Sequence, residues 1–227
     1  MPSVGEHSRD PLIGRLRVEH GSFTDRSLRA KYIAKRFGPL LSGKLLDVGC
    51  DRAVLKELLP GTEYTGIDVG GSPDLIINLE KVDRLPFGDA TFDCVVCADV
   101  LEHLDNLHQV FGELVRVSRA HLILSLPNNW ANARRAISRG RGSIGHYGLP
   151  AHPPADRHKW FFCLTEAAAF IQAQSKDYGL SIRELYAMER PRPALVRMAR
   201  RCANGSQLRY LNRYAHTLWA LLAKGSL

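Results

Sequence analysis

The residues of this chain that could do chemistry begin with a cluster at positions 47–51. In KLLDVGCDRAVLKE (44–57), Asp47, Gly49, Cys50 and Asp51 make a polar turn between Leu45-Leu46-Val48 and a second apolar set, Val54, Leu55, Leu58 and Leu59, at helical spacing. A strand that runs through a glycine turn into a helix presents free amides and bare backbone, which a nucleotide can approach closely. Asp68 lies 21 residues after Asp47, at the tip of a second apolar run, YTGIDV. An acid at about that separation is placed to accept hydrogen bonds from ribose hydroxyls. A lone Asp in such a turn would more simply be a cap; its pairing with the first turn favours a ligand.

A second reactive set lies in Gly140–Phe162, GRGSIGHYGLPAHPPADRHKWFF, where His146, His152 and His158 stand among Tyr147, Trp160, Phe161 and Phe162, with Arg157 and Lys159 beside them. Histidines there could supply a base or anchor a polar group, and the cations could hold an anion. The three histidines match no zinc-ligand spacing, and no metal site is predicted. The Gly and Pro content marks a long irregular loop, a class that is usually functional or disordered, and the aromatics argue for order. Cys94 and Cys97 have the spacing of a metal or redox pair, but FDCVVCADV reads as a strand. On a strand, positions i and i+3 face opposite ways about 10 Å apart, so buried, reduced thiols are expected.

These residues need elements to position them. Residues 1–22 read as a loose arm. A helix is expected from Asp25 to Leu41, capped by Thr24 or Asp25, with Leu28, Tyr32, Ile33, Phe37, Leu40 and Leu41 on its apolar side. Strands are expected from Lys44, over Glu63–Val69, Leu75–Asn78 and Phe92–Ala98, and over His121–Leu126 before Pro127. Asp105 should cap a helix carrying Leu107, Val110, Phe111, Leu114 and Val115. Further on, Thr165 should cap a helix through Gln174, Ser181–Met188 should be a strand, and Pro191–Cys202 a basic helix. By periodicity the last run, Tyr214–Lys224, could be a helix. Strands alternating with helices imply a parallel sheet covered on both faces, with its ligand at the strands' C-terminal ends.

Over residues 40–130 the chain resembles the class I S-adenosylmethionine-dependent methyltransferases, in particular the small-molecule (type 11) group. LLDVGCDRA is similar to the family's first motif and YTGID to its second. NLEKVDRLPFGDATFDCVVCADVLEHL is similar to the stretch through the third and fourth motifs, and LILSLPNN to the fifth strand and its turn. The resemblance implies an α/β fold, a three-layer Rossmann-like sandwich. Its seven-stranded, mostly parallel sheet would end in an antiparallel strand made of the last run, with an insertion after strand 5. It also implies a cofactor, S-adenosylmethionine. Gly49, Cys50 and the following amides would approach its methionine part, and Asp47 would order the loop and the ammonium end. Asp68 would hold the ribose, with Asp51 and Val69 beside it. Asn78 and the backbone of Leu79 would read the adenine, and Ala98 and Asp99 would flank the sulfonium. The family's turn reads D-x-G-x-G-x-G; here Asp51 and Ala53 replace the last two glycines, and Asp51 is the more troubling, adding bulk and charge at a sharp turn.

Methyl transfer needs a base only when the acceptor must lose a proton, as a hydroxyl does. His103, in LEHL just after the fourth strand, is a candidate, as are His146 and His158; for each, a structural role is the simpler alternative. The whole of 1–227 is read as a single methyltransferase domain. Residues 1–43 form its arm and first helix, 44–130 its cofactor-binding core, and 131–163 and 189–213 its substrate-side insertions or lid. Residues 1–127 hold 15 Lys and Arg against 18 Asp and Glu, a charge of −3, whereas residues 128–227 hold 16 against 5, a charge of +11. That basic part could attract an anionic acceptor. The acceptor is expected to be a small molecule or a glycan or lipid precursor, methylated at oxygen. RNA is the alternative, disfavoured by the lack of an RNA-binding module or base-flipping motif, and a non-catalytic binding protein is the third reading. DNA is not expected as a partner, and neither is membrane insertion, since no apolar run approaches the roughly 20 residues of a bilayer span. The polar N-terminus points to a cytoplasmic protein.

Overall fold

The structure, a computed structural model, describes residues 16–154 and 156–225. Eight strands form one sheet: β1 (Arg17–His20), β2 (Lys44–Val48), β3 (Glu63–Asp68), β4 (Leu75–Ile76), β5 (Phe92–Ala98), β6 (Ser118–Pro127), β7 (Leu180–Glu189) and β8 (Ala215–Lys224). Their order is β1-β7-β8-β6-β5-β2-β3-β4. Only β8 is antiparallel, lying between β6 and β7. Helices α1 (Arg26–Phe37), α2 (Val54–Leu58), α3 (Leu107–Val117), α4 (Asn129–Arg139), α5 (Leu164–Asp177), α6 (Ala194–Asn204) and α7 (Gln207–Tyr214) complete the fold. Among the described residues no helix is long and apolar enough to cross a membrane.

The sheet separates two apolar layers, and β5 shows why its sequence is almost continuously apolar. Val95 and Cys97 pack with Phe111, Leu114, Leu122 and Leu124 on one face; Cys94 and Val96 pack with Ile33, Phe37, Tyr186 and Trp219 on the other. A central parallel strand is covered on both sides, so every side chain of β5 except Asp93 is buried. Cys94 and Cys97 are therefore buried on opposite faces, as the strand geometry requires. Cys202, by contrast, is exposed.

Several expectations are corrected. The sheet has eight strands rather than seven, because part of the supposed loose arm, Arg17–His20, pairs in parallel with β7 from Arg17–Tyr186 to His20–Glu189. The ten-residue β7 would otherwise be an open edge. Positions 1–15 of that arm fall outside the described residues. The last run is the antiparallel strand that the resemblance implies and not the helix that its periodicity allows: β8 is buried on both faces, so its apolar pattern carries no strand period. Asp25 caps α1 by accepting from the Leu28 amide at 2.9 Å, but that helix ends at Phe37 and a 3-10 turn through Pro39 follows. Asn106, not Asp105, flanks α3, and Cys163, not Thr165, flanks α5, its amide donating to Glu166 at 2.8 Å. The third strand shrinks to two residues. The helix expected at Pro191–Cys202 runs from Ala194 to Asn204, and α7 was not foreseen.

Candidate active site

The turn after β2 carries three residues in the left-handed region: Gly49 (φ 76°), Asp51 (φ 51°) and Ala53 (φ 51°). These are the three places where the D-x-G-x-G-x-G pattern has glycine, so the chain keeps the backbone path and replaces two of the residues that make it easy. Asp51 is accommodated, which corrects the view of it as the harder substitution. Its amide donates to Asp68 Oδ2 at 2.8 Å, its carboxylate lies 3.4 Å from Arg26, and Asp is among the residues that tolerate this region. The strain falls on Ala53, which is buried and begins α2 without a side-chain cap. Gly49 is needed as glycine, since a Cβ there would stand 2.4 Å from Val100 Cγ2.

The turn opens onto a cavity of about 640 Å³ lined by Asp47, Gly49, Cys50, Asp51 and Ala98, and by Arg26, Arg29 and Ile33 of α1. Asp47 accepts from the Tyr64 hydroxyl at 2.7 Å; burial raises its pKa to about 6. Burial likewise pushes the Cys50 thiol up to about 12, so it is no nucleophile at neutral pH. Asp99 directly follows β5, in the left-handed region (φ 53°). Its carboxylate accepts from Ser125 Oγ at 2.6 Å and pairs with Arg29. Arg29 is the residue that sequence reasoning missed, because a cation on the polar side of an amphipathic helix looks like a solvated one.

The other residues assigned to a cofactor stand along the neighbouring strand ends, outside that cavity's lining. Asp68 accepts from the Asp51 amide and, at 2.6 Å, from the Val69 amide, so its carboxylate braces the loop. Val69 is 65% exposed. Asn78 Oδ1 accepts from the Glu80 amide at 3.0 Å, and the Leu79 carbonyl accepts from Asn106 Nδ2 at 3.0 Å.

Beyond Asp99 the chain turns through Leu101–His103, and there the three candidate histidines meet. The His103 and His158 rings are 4.4 Å apart, and His146 stacks on His158 at 4.5 Å. His103 Nδ1 lies 2.7 Å from Asp156 Oδ1. His152 is left out on the surface. The loop is held there by the Lys159 amide on the Glu102 carbonyl (2.8 Å) and by Trp160 Nε1 on the Leu104 carbonyl (2.7 Å). Burial, with His103 and His146 adding to it, pushes His158 down to about 4, so that ring is neutral at pH 7. Glu102 is fully buried, and neither carboxylate oxygen has a hydrogen-bond partner. Burial and then the Asp99 charge hold its carboxyl well above the usual range. Glu102, His103 and His158 bring one ligand atom each within 4.8 Å of one another. No metal site was expected here, yet this carboxylate–imidazole set could hold a divalent cation.

Residues 46–124, from β2 through β5 to β6, match the profile of the family described as Methyltransferase domain. A methyltransferase-domain sequence signature therefore runs through the strands that carry the Asp47–Ala53 turn. Curated relatives of this domain include the ubiquinone biosynthesis O-methyltransferases of Photobacterium profundum, 27% identical over 124 residues, and of Cronobacter sakazakii, 32% identical over 125. Each match takes in 47% of this chain and 53% or 51% of the relative, so the chain spans about half the length of the curated relatives it matches. Among solved structures, the small RNA methyltransferase HEN1 superposes with a TM-score of 0.60 at 16% identity, over 93% of this chain and 27% of that one. That likeness shows the fold. In this domain the sheet's C-terminal edge carries both the Asp47–Ala53 turn and the histidine cluster.

Proposed function

We propose that the chain transfers a methyl group from S-adenosylmethionine to a hydroxyl of a small-molecule acceptor, a glycan or lipid precursor included. The observation that carries this reading is the junction at Asp99. The cavity that starts at Asp47 and Gly49 reaches Ala98, and one turn further Glu102 and His103 stand against His146 and His158. A donor on one side and an acceptor on the other would meet at the end of β5. The partial sequence likeness to O-methyltransferases supports oxygen as the methylated atom.

S-adenosylmethionine supplies an already activated methyl group, so the protein's work is positioning and exclusion of water. Asp47 would receive the ammonium of the methionine end and Arg29 its carboxylate, while the amides after Gly49 would approach the same part. Asp68 would hold the ribose, with Val69, Asn78 and the Leu79 backbone around the adenine. Asp99 and Ala98 would border the sulfonium. His103 is the proposed base. Asp156 holds its Nδ1 and would stabilise the imidazolium after Nε2 takes the hydroxyl proton. His146 and His158 would wall the acceptor, and residues 131–163 and 189–213 would cover it.

Calorimetry with S-adenosylmethionine and its demethylated product tests this directly. Saturable binding of both is expected, and Asp68→Ala should weaken it by about 1–3 kcal/mol through lost charge-assisted hydrogen bonds. No binding by folded protein would reject the reading and leave a non-catalytic role; an unchanged Asp68→Ala affinity would mean the ribose site is misplaced. A second reading, RNA as acceptor, draws on the +11 charge of residues 128–227 and on the solved neighbour named as a small RNA methyltransferase. Tight RNA binding with a steep salt dependence would favour it.

A further inference from the structure

A pocket of about 270 Å³ opens between α4, the end of β7, α6, α7 and the start of β8. Six arginines line it: Arg134, Arg135, Arg190, Arg192, Arg200 and Arg213. Among the described residues the only Lys or Arg after position 127 in an ion pair is Lys159, so none of the six is neutralised by a carboxylate. Arg134 is half-buried and its Nε has no hydrogen-bond partner. The guanidinium groups of Arg134 and Arg200 lie over the Tyr214 ring at 5.0 and 4.5 Å, which orients them without using their N–H edges. Burial lowers the Arg134 pKa, and Arg213, Arg135 and Arg200 lower it further, the mark of crowded like charges. The pocket's single carboxylate, Glu189, is buried and accepts from the Tyr210 hydroxyl, and its other oxygen has no partner. It leaves a large excess of positive charge.

The pocket is not isolated. Arg134 and Arg213 also line an adjoining cavity of about 610 Å³ walled by Trp130, Ile137 and Phe161, and Phe161 in turn walls a smaller one that reaches Glu102. Trp130 and Ile137 are 51% and 65% exposed. Converging guanidinium forks, an apolar groove and the histidine cluster therefore follow one another along the same edge of the sheet.

We propose that the six arginines bind a phosphate or diphosphate group of an amphiphilic acceptor whose apolar chain lies along Trp130, Ile137 and Phe161. This rests on the reading of the sheet edge as the site of methyl transfer. Guanidinium forks match phosphate oxygens two at a time and hold them in fixed orientation. The arginines converge on one concave pocket instead of following a track, which suits a terminal phosphate and not the repeating backbone of a single-stranded nucleic acid.

The test is calorimetry with four probes, inorganic pyrophosphate, farnesyl diphosphate, farnesol and a single-stranded RNA oligonucleotide, alongside S-adenosylmethionine. Farnesyl diphosphate should bind about tenfold or more tighter than either pyrophosphate or farnesol alone, since each probe offers half of the complement. Arg134→Lys combined with Arg213→Gln should weaken it about tenfold, with S-adenosylmethionine affinity unchanged as proof of an intact fold. The exposed Arg192→Gln, which touches no packing on Tyr214, should weaken it less but measurably. Affinity unchanged in all these variants would overturn the proposal, as would RNA binding in preference to farnesyl diphosphate and being lost in the variants. Wild-type protein that binds farnesyl diphosphate but not S-adenosylmethionine would support the pocket and overturn the transfer reading instead.

Discussion

The two parts of the chain handle charge in opposite ways. In residues 16–127 cations and anions sit together. Arg29 meets Asp99, Lys56 meets Asp74, and Arg116 bridges Glu113 and Asp89. Even Asp68 is turned inward onto backbone amides. In residues 128–225 the arginines stand apart from carboxylates and crowd one another. The first part, slightly acidic overall, is proposed to hold a cofactor that carries both signs of charge, and Asp47 and Arg29 would offer one charge of each sign. A part left with an uncompensated excess would suit the phosphate group proposed above. Between them lies the turn Leu101–His103, which belongs to the first part by sequence and to the second by contact.

The largest effect is expected at that seam. His103→Ala should lower kcat by about 10²–10⁴-fold, the usual contribution of general base catalysis, without changing S-adenosylmethionine affinity. Stopped-assay methyl transfer and calorimetry on the same variant check the two halves of the claim. An equal loss in cofactor affinity would put His103 in the first part's machinery and dissolve the division. Asp156→Asn should give a smaller loss in kcat and shift its pH profile, since it removes the charge that would stabilise the imidazolium.

The next effect concerns Asp47, the anionic member of the Asp47–Arg29 pair in the first part. Its pKa in the folded protein is raised to about 6 by burial, above the ordinary value of 3.8. A raised acid binds more protons folded than unfolded, so it withdraws stability as pH rises from about 4 to about 6, and the full penalty is present above that window. A shift of this size corresponds to something on the order of 2–3 kcal/mol. Asp47→Asn should therefore gain stability over the wild type as pH is raised from 4.5 to 7.5, measured by urea unfolding without cofactor. The same variant should bind S-adenosylmethionine more weakly, and the wild type's affinity should rise with pH through about 6 as the carboxylate ionises. A variant no more stable at pH 7.5 would show that Asp47 is ionised at little cost in the free protein. Stability held back by a buried acid and returned when a ligand cation arrives is what a binding site requires.

How much of this was legible in the sequence depends on whether the determinant was local. The strands β2, β3 and β5 are short apolar runs bounded by Gly, Pro and Asp, and a period or a cap announces each neighbour. β8 was legible only through the family resemblance, because a strand buried on both faces has lost the alternation that would identify it. β1 is four residues whose Glu19 is satisfied inside the fold by Tyr32 and Arg36, so its polarity looked like that of an arm. The histidine cluster joins His103 to positions 43 and 55 residues further on through the path of one loop. Nothing in their spacing could show that His103, His146 and His158 meet while His152 does not. The arginine pocket draws on four segments of the second part, and the sequence showed only its net charge.

The smallest effect is the most local and bears on the turn between the two strands that start the site. Gly49, Asp51 and Ala53 all hold left-handed angles, yet they differ in what offsets the strain. Glycine has none, and Asp51 gains an amide bond to Asp68 and a nearby Arg26. Ala53 has neither advantage, and an L residue with a Cβ pays about 1–2 kcal/mol in that region. Ala53→Gly should then raise stability by roughly 1 kcal/mol, a few degrees in Tm for a domain of this size, despite glycine's greater freedom in the unfolded chain. Asp51→Gly should give less, or a loss, because it exchanges the Arg26 contact for the same relief. If Asp51→Gly stabilises more than Ala53→Gly, the strain lies at the charged position after all, and the first part of the chain is less self-compensated than its ion pairs suggest.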